Sequence, residues 1–434
     1  MQFPEGFVEK YEAILEDEAR DFLASFKQEA VSAFRVNPLK ESQLSFADAI
    51  PHTPWGHYGK VSGKSPEHAT GLVYSQEPAA QMVAQVAQPN PGMKVLDLAA
   101  APGGKSTQLA AYLANQGILV SNEISSKRAK ILVENMERFG ATNVVVTNES
   151  ADRLAKVFKG YFDVIVLDAP CSGEGMFRKQ PEAMDYWSTD YPSQCASLQR
   201  EILEDVVTML AEGGRLVYST CTWAPEENEE IVHWLLDTYD FELLPVEHVN
   251  GMVAGIDLPE TARMYPHHFK GEGQFVAHLQ FKGENPAPKF KASKTNLSRE
   301  QQSLWQEFTQ KHLKISLTGL LQTFGDQLYL LPEILPDLGK LKIARNGLHL
   351  GTFKKKRFEP SFALGLALKP SQVKQRVEIK DEDFVKYVAG ETVQLADSLP
   401  NGWYQVVVQG NGLGFAKVTG NVLKNYYPKG LRFK

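Results

Sequence analysis

Short apolar runs alternate with amphipathic segments through the middle of the chain. The runs at 94–98, 118–123, 143–147, 164–168 and 215–219 have the length of β-strands, and the segments between them repeat apolar residues at helical spacing over about 105–114, 125–139, 194–211 and 226–237. This alternation is typical of an α/β fold with a doubly wound parallel sheet, and a further apolar run at 275–281 could close that sheet as a late strand.

The flanking regions carry other patterns. Phe7, Tyr11 and Leu15 recur at a spacing of four, ahead of Phe22 and Phe26, and predict helical packing faces. An extended segment at 34–40, a loop at 51–66 and a helix at 78–87 are expected next, and short strands with glycine turns dominate the C-terminal end. The predicted parts are an α+β extension at 1–90, the α/β domain at 91–282, a linker at 283–297, a small α+β domain at 298–360 and a β-rich module at 361–434.

Composition changes this picture in two ways. The 434 residues contain no run of about 18 apolar residues and no N-terminal signal peptide, so a cytoplasmic protein without a membrane partner is expected. The net charge of −6 argues against a nucleic-acid partner, but the charge is unevenly distributed. No acidic residue follows position 400, where the cations are Lys417, Lys424, Lys429, Arg432 and Lys434.

Three cysteines, Cys171, Cys195 and Cys221, lack CxxC pairing and zinc-site spacing. Neither a disulfide framework nor a structural metal is therefore expected. The pair His267 and His268 is interpreted as polar loop residues rather than metal ligands. The glutamates near position 228 are interpreted as an acidic first helical turn, favoured by the helix dipole; they are Glu226, Glu227, Glu229 and Glu230.

A loop of small residues joins the first predicted strand to its helix. Gly103 and Gly104 let the backbone approach a ligand closely, and the helix N-terminus offers free amide groups. The pattern predicts a binding site for a nucleotide-type cofactor, formed by Ala99, Ala100, Ala101, Pro102, Gly103, Gly104 and Lys105.

Two classes of ligand compete for this loop. Its spacing is that of a degenerate phosphate-binding loop, with 164–168 as the acidic strand of an NTPase. However, Ala99 replaces the first glycine of such a loop, and Pro102 lacks an N–H group that would cradle phosphate. Asp97 suits a cationic ligand, and Glu123 is placed to accept ribose hydroxyls. The loop therefore favours S-adenosylmethionine, which carries a sulfonium and an ammonium group.

Two cysteines follow predicted strands at the edge where open α/β sheets bind ligands. Cys171 follows the fourth run and Cys221 the fifth, so both thiols are expected to face one substrate, and at least one is expected to be catalytic. Cys195 lies within a predicted helix and is interpreted as a core residue.

Thiols beside a methyl donor suggest chemistry on a pyrimidine ring. C5 of the ring is a poor nucleophile, but adding a thiolate to C6 gives an enamine-like species whose C5 attacks the methyl group. The C5 proton then leaves before the thiolate is expelled. Asp168, three residues before Cys171, is placed to stabilise this adduct near N3 and N4. The chemistry alone leaves open which thiol attacks.

Five motifs in order over residues 30–281 resemble the Sun-domain family of RNA cytosine-5 methyltransferases. The motifs are Phe-Arg-Val-Asn-Pro-Leu-Lys at 34–40, Ala-Ala-Ala-Pro-Gly-Gly-Lys at 99–105, Asp-Ala-Pro-Cys-Ser-Gly-Glu-Gly at 168–175, Tyr-Ser-Thr-Cys-Thr at 218–222 with Pro-Glu-Glu-Asn at 225–228, and Arg-Met-Tyr-Pro-His-His-Phe-Lys-Gly-Glu-Gly at 263–273. The Met-Phe-Arg-Lys after the fourth-strand motif and the long C-terminal extension are most similar to a bacterial group that modifies small-subunit ribosomal RNA.

This resemblance implies a class I (Rossmann-like) methyltransferase domain at 91–282. S-adenosylmethionine would contact the 99–105 loop, Glu123 and Asp168. In the family the Thr-Cys cysteine, which matches Cys221, attacks C6, and the Pro-Cys cysteine, which matches Cys171, assists product release. The family often has an acidic residue on the adenine side after the third strand, and no such contact is assigned in the stretch 148–152.

The resemblance also implies RNA contacts. Residues 361–434 resemble the PUA-like RNA-binding modules of the group, and 1–90 would be an RNA-binding extension that includes Arg35. In the C-terminal module, Lys417, Lys424, Lys429 and Arg432 interleave with aromatic residues that offer stacking surfaces, of which about half are expected in the core. These aromatics are Trp403, Tyr404, Phe415, Tyr426, Tyr427 and Phe433.

The expected function is methyl transfer to C5 of a flipped or unpaired cytosine in RNA. The resemblance points to 16S ribosomal RNA near the decoding region as the substrate. The expected partner is the RNA or the assembled 30S subunit, and the enzyme is expected to be a monomer. The alternatives are a transfer RNA methyltransferase, a P-loop-like NTPase and a non-catalytic RNA-binding assembly factor.

Overall fold

A computed structural model of the chain describes residues 2–42, 44–286 and 293–434. The N-terminal extension contains α1 (Phe7–Leu15), α2 (Ala19–Ser25), β1 (Ala33–Val36), β2 (Gly56–Tyr58), α3 (Pro66–Ala69), β3 (Val73–Ser75) and α4 (Pro78–Ala87). Its strands form an antiparallel sheet in the order β2-β1-β3. The predicted helix at 78–87 is confirmed, whereas the predicted loop at 51–66 contains the short strand β2.

The central domain is a mixed sheet flanked by helices. Its elements are β4 (Lys94–Asp97), α5 (Gly104–Leu113), β5 (Ile118–Asn122), α6 (Ser126–Phe139), β6 (Val144–Thr147), α7 (Ala151–Ala155), β7 (Phe162–Asp168), α8 (Tyr191–Met209), β8 (Leu210–Thr220), α9 (Glu229–Thr238), β9 (Phe241–Leu244), β10 (Val253–Gly255), β11 (Leu258–Met264) and β12 (Gln274–Phe281). The strands β8-β7-β4-β5-β6 are parallel, and β12 pairs antiparallel with β8. The doubly wound sheet and its late closing strand are thus confirmed.

The C-terminal part contains two further sheets. Its elements are α10 (Arg299–His312), β13 (Leu320–Phe324), β14 (Gln327–Leu331), β15 (Ile343–Arg345), β16 (Leu348–Lys354), β17 (Arg357–Pro360), α11 (Phe362–Ala367), β18 (Arg376–Glu378), α12 (Asp381–Ala389), β19 (Val393–Gln394), β20 (Gly402–Val408), β21 (Asn411–Thr419) and β22 (Val422–Leu423). The sheet orders are β13-β14-β16-β17 and β18-β20-β21-β22-β19. The predicted linker lies partly outside the described residues, since 287–292 are not among them.

One strand of the C-terminal part belongs to the central sheet. β15 pairs antiparallel with β6 and extends the sheet at that edge. Arg345 of β15 is buried and donates to the carbonyls of Ala141, at 2.8 Å, and Val144, at 3.3 Å. The small region after the linker is therefore joined to the central domain by backbone pairing.

Alternate residues of the central strands pack on opposite faces of the sheet. Leu96 and Ile165 belong to the core on one face, and their neighbours Val95 and Val164 to the core on the other, all without exposure. Strands buried on both faces explain why the sequence shows continuous apolar runs rather than alternation. No helix among the described residues is long and apolar enough to cross a membrane.

The N-terminal helices pack on the central domain through an aromatic cluster. Phe7, Tyr11, Phe22 and Phe26 are buried against Trp223 and its aromatic neighbours. This confirms the packing faces predicted from the helical spacing. The cluster matters for the site because Trp223 lies two residues after Cys221.

Candidate active site

A cavity of about 310 Å³ opens at the carboxyl ends of β4, β5 and β7. These strands flank the point where the strand order reverses, which is the usual ligand position in doubly wound sheets. The cavity is lined by Leu98, Ala99, Ala101, Asn122, Glu123, Ile124, Arg128, Glu149, Ser150, Ala151, Leu167, Asp168, Ala169, Pro170, Cys171, Ile202 and Cys221. The structure thus brings the predicted cofactor loop, Glu123, Asp168 and both strand-end cysteines to one site.

The predicted cofactor loop contributes unequally to this cavity. Ala99 and Ala101 line it, whereas Ala100 is buried and Pro102 is exposed. Gly103 caps α5 at a φ of 119°, in the region that favours glycine.

Three side chains from two elements hold the loop by its carbonyl oxygens. Arg128 donates to the carbonyl of Ala101 at 2.6 Å and Asn135 to that of Pro102 at 2.8 Å, both from α6. Arg35 of β1 donates to the carbonyl of Gly104 at 2.7 Å. The loop conformation is therefore fixed by distant parts of the sequence as well as by its own residues.

The prediction that Arg35 contacts RNA is wrong. Its side chain is fully buried and also donates to Gln76 at 2.6 Å and to the Thr107 hydroxyl at 2.7 Å. A guanidinium enclosed by these partners cannot reach a phosphate. Arg35 instead anchors the start of α5 to the N-terminal extension.

Replacing Arg35 by alanine is expected to destabilise the cofactor loop. The variant leaves the Gly104 carbonyl, Gln76 and Thr107 without their buried partner, which should lower the free energy of unfolding by about 2–4 kcal/mol. Thermal unfolding by circular dichroism measures this loss. Replacing the exposed Lys130 of α6 by alanine is the control and should leave the melting temperature within about 1 °C. An unchanged melting temperature for Arg35→Ala would contradict the anchoring role.

Two acidic residues of the predicted cofactor site differ in position. Glu123 lines the cavity and accepts a hydrogen bond from the Ser125 amide at 2.9 Å. Asp97 does not line the cavity: it is fully buried, accepts a hydrogen bond from Ser106 at 2.7 Å, and burial raises its pKa to about 7. Asp97 therefore fastens the start of α5 to β4, and the direct role with a cationic ligand suggested by the sequence is not supported.

Glu149 is the acidic residue that follows the third parallel strand. It lines the cavity, but its carboxylate oxygens are occupied by the Lys342 amide at 2.7 Å and by Arg153 at 3.1 Å. Lys342, which directly precedes β15 in the C-terminal part, thus contacts the cavity wall at Glu149.

Asp168 forms the charged centre of the site. Its Oδ2 lies 2.7 Å from Nζ of Lys105, and its Oδ1 accepts hydrogen bonds from Ser219 at 2.7 Å and Gln274 at 3.0 Å. Burial alone would lower the pKa of Lys105, but the neighbouring Asp168 carboxylate raises it above its ordinary value. Sequence reasoning missed Gln274, although it stands beside the Gly-Glu-Gly motif at 271–273.

The two strand-end thiols are in contact. Sγ of Cys171 and Sγ of Cys221 lie 3.3 Å apart, and both residues line the cavity. The hydrogen bond to Cys221, together with burial, raises the pKa of Cys171 well above that of a free thiol. At this distance either thiol can donate a hydrogen bond to the other. Cys195 is buried in α8, in agreement with its interpretation as a core residue.

The predicted acidic first turn around position 228 is confirmed over two consecutive helical segments, since Glu226 and Glu227 lie in the short 3-10 helix Pro225–Glu227, and Glu229 and Glu230 lie in the first turn of α9. Glu230 is exposed, but Glu227 and Glu229 are buried because each meets internal donors. Glu229 forms an ion pair with the buried Arg263, and Glu227 accepts a hydrogen bond from the Ser172 amide at 3.0 Å. Runs of glutamate do not reveal from sequence which members face inward.

His267 and His268 lie beside the N-terminal extension. Their Nε2 atoms are 3.1 Å and 2.7 Å from one carboxylate oxygen of Glu18. The pair connects the loop before β12 to the turn between α1 and α2.

Most cations proposed for RNA contact remain accessible. Lys424, Lys429 and Arg432 are exposed, and Nζ of Lys417 lies 5.2 Å from the centre of the Trp403 ring. Of the six aromatic residues proposed for stacking, Tyr426 is exposed and Phe433 is half-buried. The other four are buried; they are Trp403, Tyr404, Phe415 and Tyr427. A stacking role is therefore open to few of the six.

The residues at the cavity fit an adenosyl ligand. Glu123, with little solvent exposure, presents a carboxylate to the cavity, and Ala99 and Ala101 leave its wall without bulky side chains. Asp168 and both thiols line the same cavity. A ligand bound along this wall would thus lie beside Cys171 and Cys221.

Family models match most of the chain. Residues 84–280 match a model described as 16S rRNA methyltransferase RsmB/F, and residues 3–78 match the N-terminal domain of 16S rRNA methyltransferase RsmF. Residues 307–368 match the RsmF rRNA methyltransferase first C-terminal domain, and residues 374–433 match the methyltransferase RsmF PUA domain.

Individual proteins resemble the chain over much of its length. The ribosomal RNA small subunit methyltransferase F of Shewanella loihica is 33% identical, covering 92% of this chain and 88% of its own. That of Erwinia tasmaniensis is 32% identical over 99% and 96%. Among solved structures, a methyltransferase homolog protein from Pyrococcus horikoshii is 31% identical, with a TM-score of 0.55 over 63% of this chain and 93% of its own.

Proposed function

The chain belongs to the RsmB/F family of 16S rRNA methyltransferases, and we propose that it transfers a methyl group from S-adenosylmethionine to C5 of a cytosine in 16S rRNA. The observation that carries the proposal is the pair of thiols 3.3 Å apart, beside Asp168, at the cavity. Membership of a methyltransferase family decides against the NTPase and the non-catalytic assembly factor.

The cofactor would be held by the wall between β4 and β5. Glu123 would accept hydrogen bonds from the ribose hydroxyls. The loop at 99–105 would contact the ligand at the N-terminus of α5. When bound, S-adenosylmethionine supplies the methyl group as an electrophile. The residues of the chain bring the cytosine ring to it and activate C5.

Cys221 is the proposed nucleophile. Its thiolate forms a bond to C6 of cytosine, and the electron pair of the C5–C6 double bond is delocalised into the ring. C5 would then take the methyl group as the bond between that group and the sulfonium sulfur breaks, and the C5 proton would leave to solvent. The bond between the Cys221 sulfur and C6 would break last, with its electron pair returning to sulfur as the aromatic ring is restored. With a thiolate at Cys221, the Cys171 thiol 3.3 Å away would stabilise it by donating a hydrogen bond.

Cys171 is proposed to assist product release. Its thiol lies next to the sulfur that must depart, so it can stabilise that sulfur as negative charge returns to it. Asp168 and Lys105 are proposed to bind the N3 and N4 edge of the ring, where charge accumulates in the adduct. Asp168 lines the cavity, and their ion pair of 2.7 Å holds the Lys105 cation beside its carboxylate.

The proposed RNA surface includes the C-terminal cations. Exchanging Lys424 and Lys429 together for alanine should weaken RNA binding about tenfold at 100 mM salt and reduce the salt slope by about two, if each contacts a phosphate. Filter binding between 50 and 200 mM potassium chloride measures both. Exchanging Lys156 and Lys159, exposed in the turn after α7, is the matched control. Equal losses in both double variants would show that the effect comes from overall charge.

The RNA target is tested by direct comparison of substrates. Unmodified 16S rRNA, the assembled 30S subunit and transfer RNA transcripts are each mixed with the enzyme and labelled methyl donor, and nucleosides are then separated. We expect label in 5-methylcytidine from 16S rRNA or the 30S subunit, at a position near the decoding region located by bisulfite sequencing. Label from transfer RNA alone would overturn the target. A monomer acting in the cytoplasm is also proposed, as is the division into domains at residues 90, 282, 297 and 360 that the sequence pattern indicates.

A further inference from the structure

We infer that Glu227 is a positioning residue for Cys171, acting through Gln199 and the backbone on both sides of the thiol. The inference rests on the proposed function, in which Cys171 assists release of the methylated base. It assigns to the turn at Pro225–Glu227 a role in one step of the reaction and not in the others.

The backbone of Cys171 is held from both sides by buried side chains. The Ser172 amide donates to Glu227, with 3.0 Å to Oε2 and 3.3 Å to Oε1. The Pro170 carbonyl accepts from Nε2 of Gln199 at 2.9 Å, and the same nitrogen donates to Oε2 of Glu227 at 2.8 Å. One carboxylate therefore fixes the amide after Cys171 directly and the carbonyl before it through Gln199.

The network is closed and lies outside the cavity lining. Glu227 and Gln199 are fully buried, and Tyr218 donates at 3.0 Å to Oε1 of Gln199 and at 2.6 Å to the carbonyl of Glu227. Neither Glu227 nor Gln199 lines the cavity, so neither is placed to touch the substrate. An acid that is fully buried, accepts three hydrogen bonds and faces the Cys171 loop has its effect through that loop.

A second buried carboxylate supports the other thiol and provides a matched control. Glu174 accepts from Thr222, next to Cys221, at 2.7 Å and from Trp187 at 2.9 Å, and it also accepts from Tyr11 of α1. Glu174 is as fully buried as Glu227. Glu227 contacts the Cys171 loop and Glu174 contacts Thr222 beside Cys221, and the hydroxyls of Ser172 and Thr222 lie 2.9 Å apart between the two loops. Each exchange to glutamine replaces one carboxylate oxygen by an amide group without changing the size of the side chain.

Glu227→Gln should slow release of the covalent intermediate. Whichever way the glutamine amide turns, its NH2 group faces a donor, either the Ser172 amide at the Oε1 position or both Ser172 and Gln199 at the Oε2 position, so the Cys171 loop shifts. A misplacement of about 1 Å can reduce a rate by about 10²-fold. We expect breakdown of the protein–RNA adduct to slow at least fivefold, with adduct formation changed less than twofold. Glu174→Gln should instead slow adduct formation and cause no accumulation.

The experiment follows adduct formation and decay on denaturing gels with 16S rRNA and methyl donor, for wild type, Glu227→Gln, Glu174→Gln, Cys171→Ala and Cys171→Ala/Glu227→Gln. If Glu227 acts through Cys171, adding Glu227→Gln to Cys171→Ala changes adduct decay no further. An additional slowing in the double variant, or loss of adduct formation in Glu227→Gln, would overturn the inference.

Gln199→Met removes the hydrogen bond to the Pro170 carbonyl and should also slow adduct decay. If Glu227→Gln fails to fold, unchanged adduct decay in Gln199→Met counts against the inference. Failure of the proposed function is recognised separately, because then Cys171→Ala itself accumulates no adduct.

Discussion

Replacing Cys221 by alanine should abolish methyl transfer, with a loss of at least about 10³-fold in the single-turnover rate. Without the sulfur, C5 of cytosine is never activated, and neither Asp168 nor the cofactor cavity can replace covalent addition at C6. The measurement is transfer of labelled methyl groups to 16S rRNA under single-turnover conditions. RNA binding by the variant should stay within about twofold of wild type, because the substitution removes one atom from a half-buried position.

Cys195→Ala is the matched control for the Cys221 variant. It removes the third thiol, which is buried in α8 and does not line the cavity. Its methyl-transfer rate should remain within a few-fold of wild type. A Cys221→Ala enzyme that retains a tenth or more of the activity would rule out Cys221 as the nucleophile.

The second large effect is expected for Asp168→Asn. The substitution keeps the shape of the side chain but removes the charge that pairs with Lys105 at 2.7 Å. Loss of this preorganised charge at the ring should reduce the methyl-transfer rate by about 10²- to 10³-fold. Lys105, whose pKa the Asp168 carboxylate raises, also loses its counter-ion.

Rate and binding measurements separate this role from folding. For Asp168→Asn the affinity for RNA should change little, while the yield of covalent adduct falls together with the methyl-transfer rate. Ser219→Ala, which removes one hydrogen bond to Oδ1 of Asp168, is the graded control and should lose about tenfold or less. Full activity of Asp168→Asn would show that the ring edge is bound elsewhere.

The fold of the central domain could be predicted from sequence because its strands are buried on both faces. Continuous apolar runs such as 164–168 are distinctive, and their carboxyl ends locate Cys171 and Cys221 at one edge. The late strand β12 was also predictable, since its run 275–281 is as apolar as the parallel strands.

Side-chain burial of charged residues was not predictable. Arg35 lies in a motif shared with RNA-modifying enzymes, yet it is enclosed by Gly104, Thr107 and Gln76, which are 41 to 72 positions away. Asp97 is the last residue of a strand that ends at the cavity, but its side chain accepts a hydrogen bond from Ser106 instead of lining the cavity. Such contacts depend on how distant segments pack, which local periodicity does not contain.

The C-terminal part shows the same limit for secondary structure. The pattern after 361 indicated short strands. The helices α11 and α12 were not predicted, because they are only six and nine residues long. The pairing of β15 with the central sheet was not predictable either, since the three residues at 343–345 are too few to show a periodic pattern of apolar residues.

Covalent trapping tests most directly whether Cys221 attacks and Cys171 releases. Wild type, Cys221→Ala and Cys171→Ala are each mixed with 16S rRNA and methyl donor, and protein–RNA adducts that resist denaturation are resolved on a gel. We predict that Cys171→Ala accumulates the adduct and that Cys221→Ala forms none. An adduct that persists in Cys221→Ala and disappears in Cys171→Ala would show that the two thiols have the opposite roles.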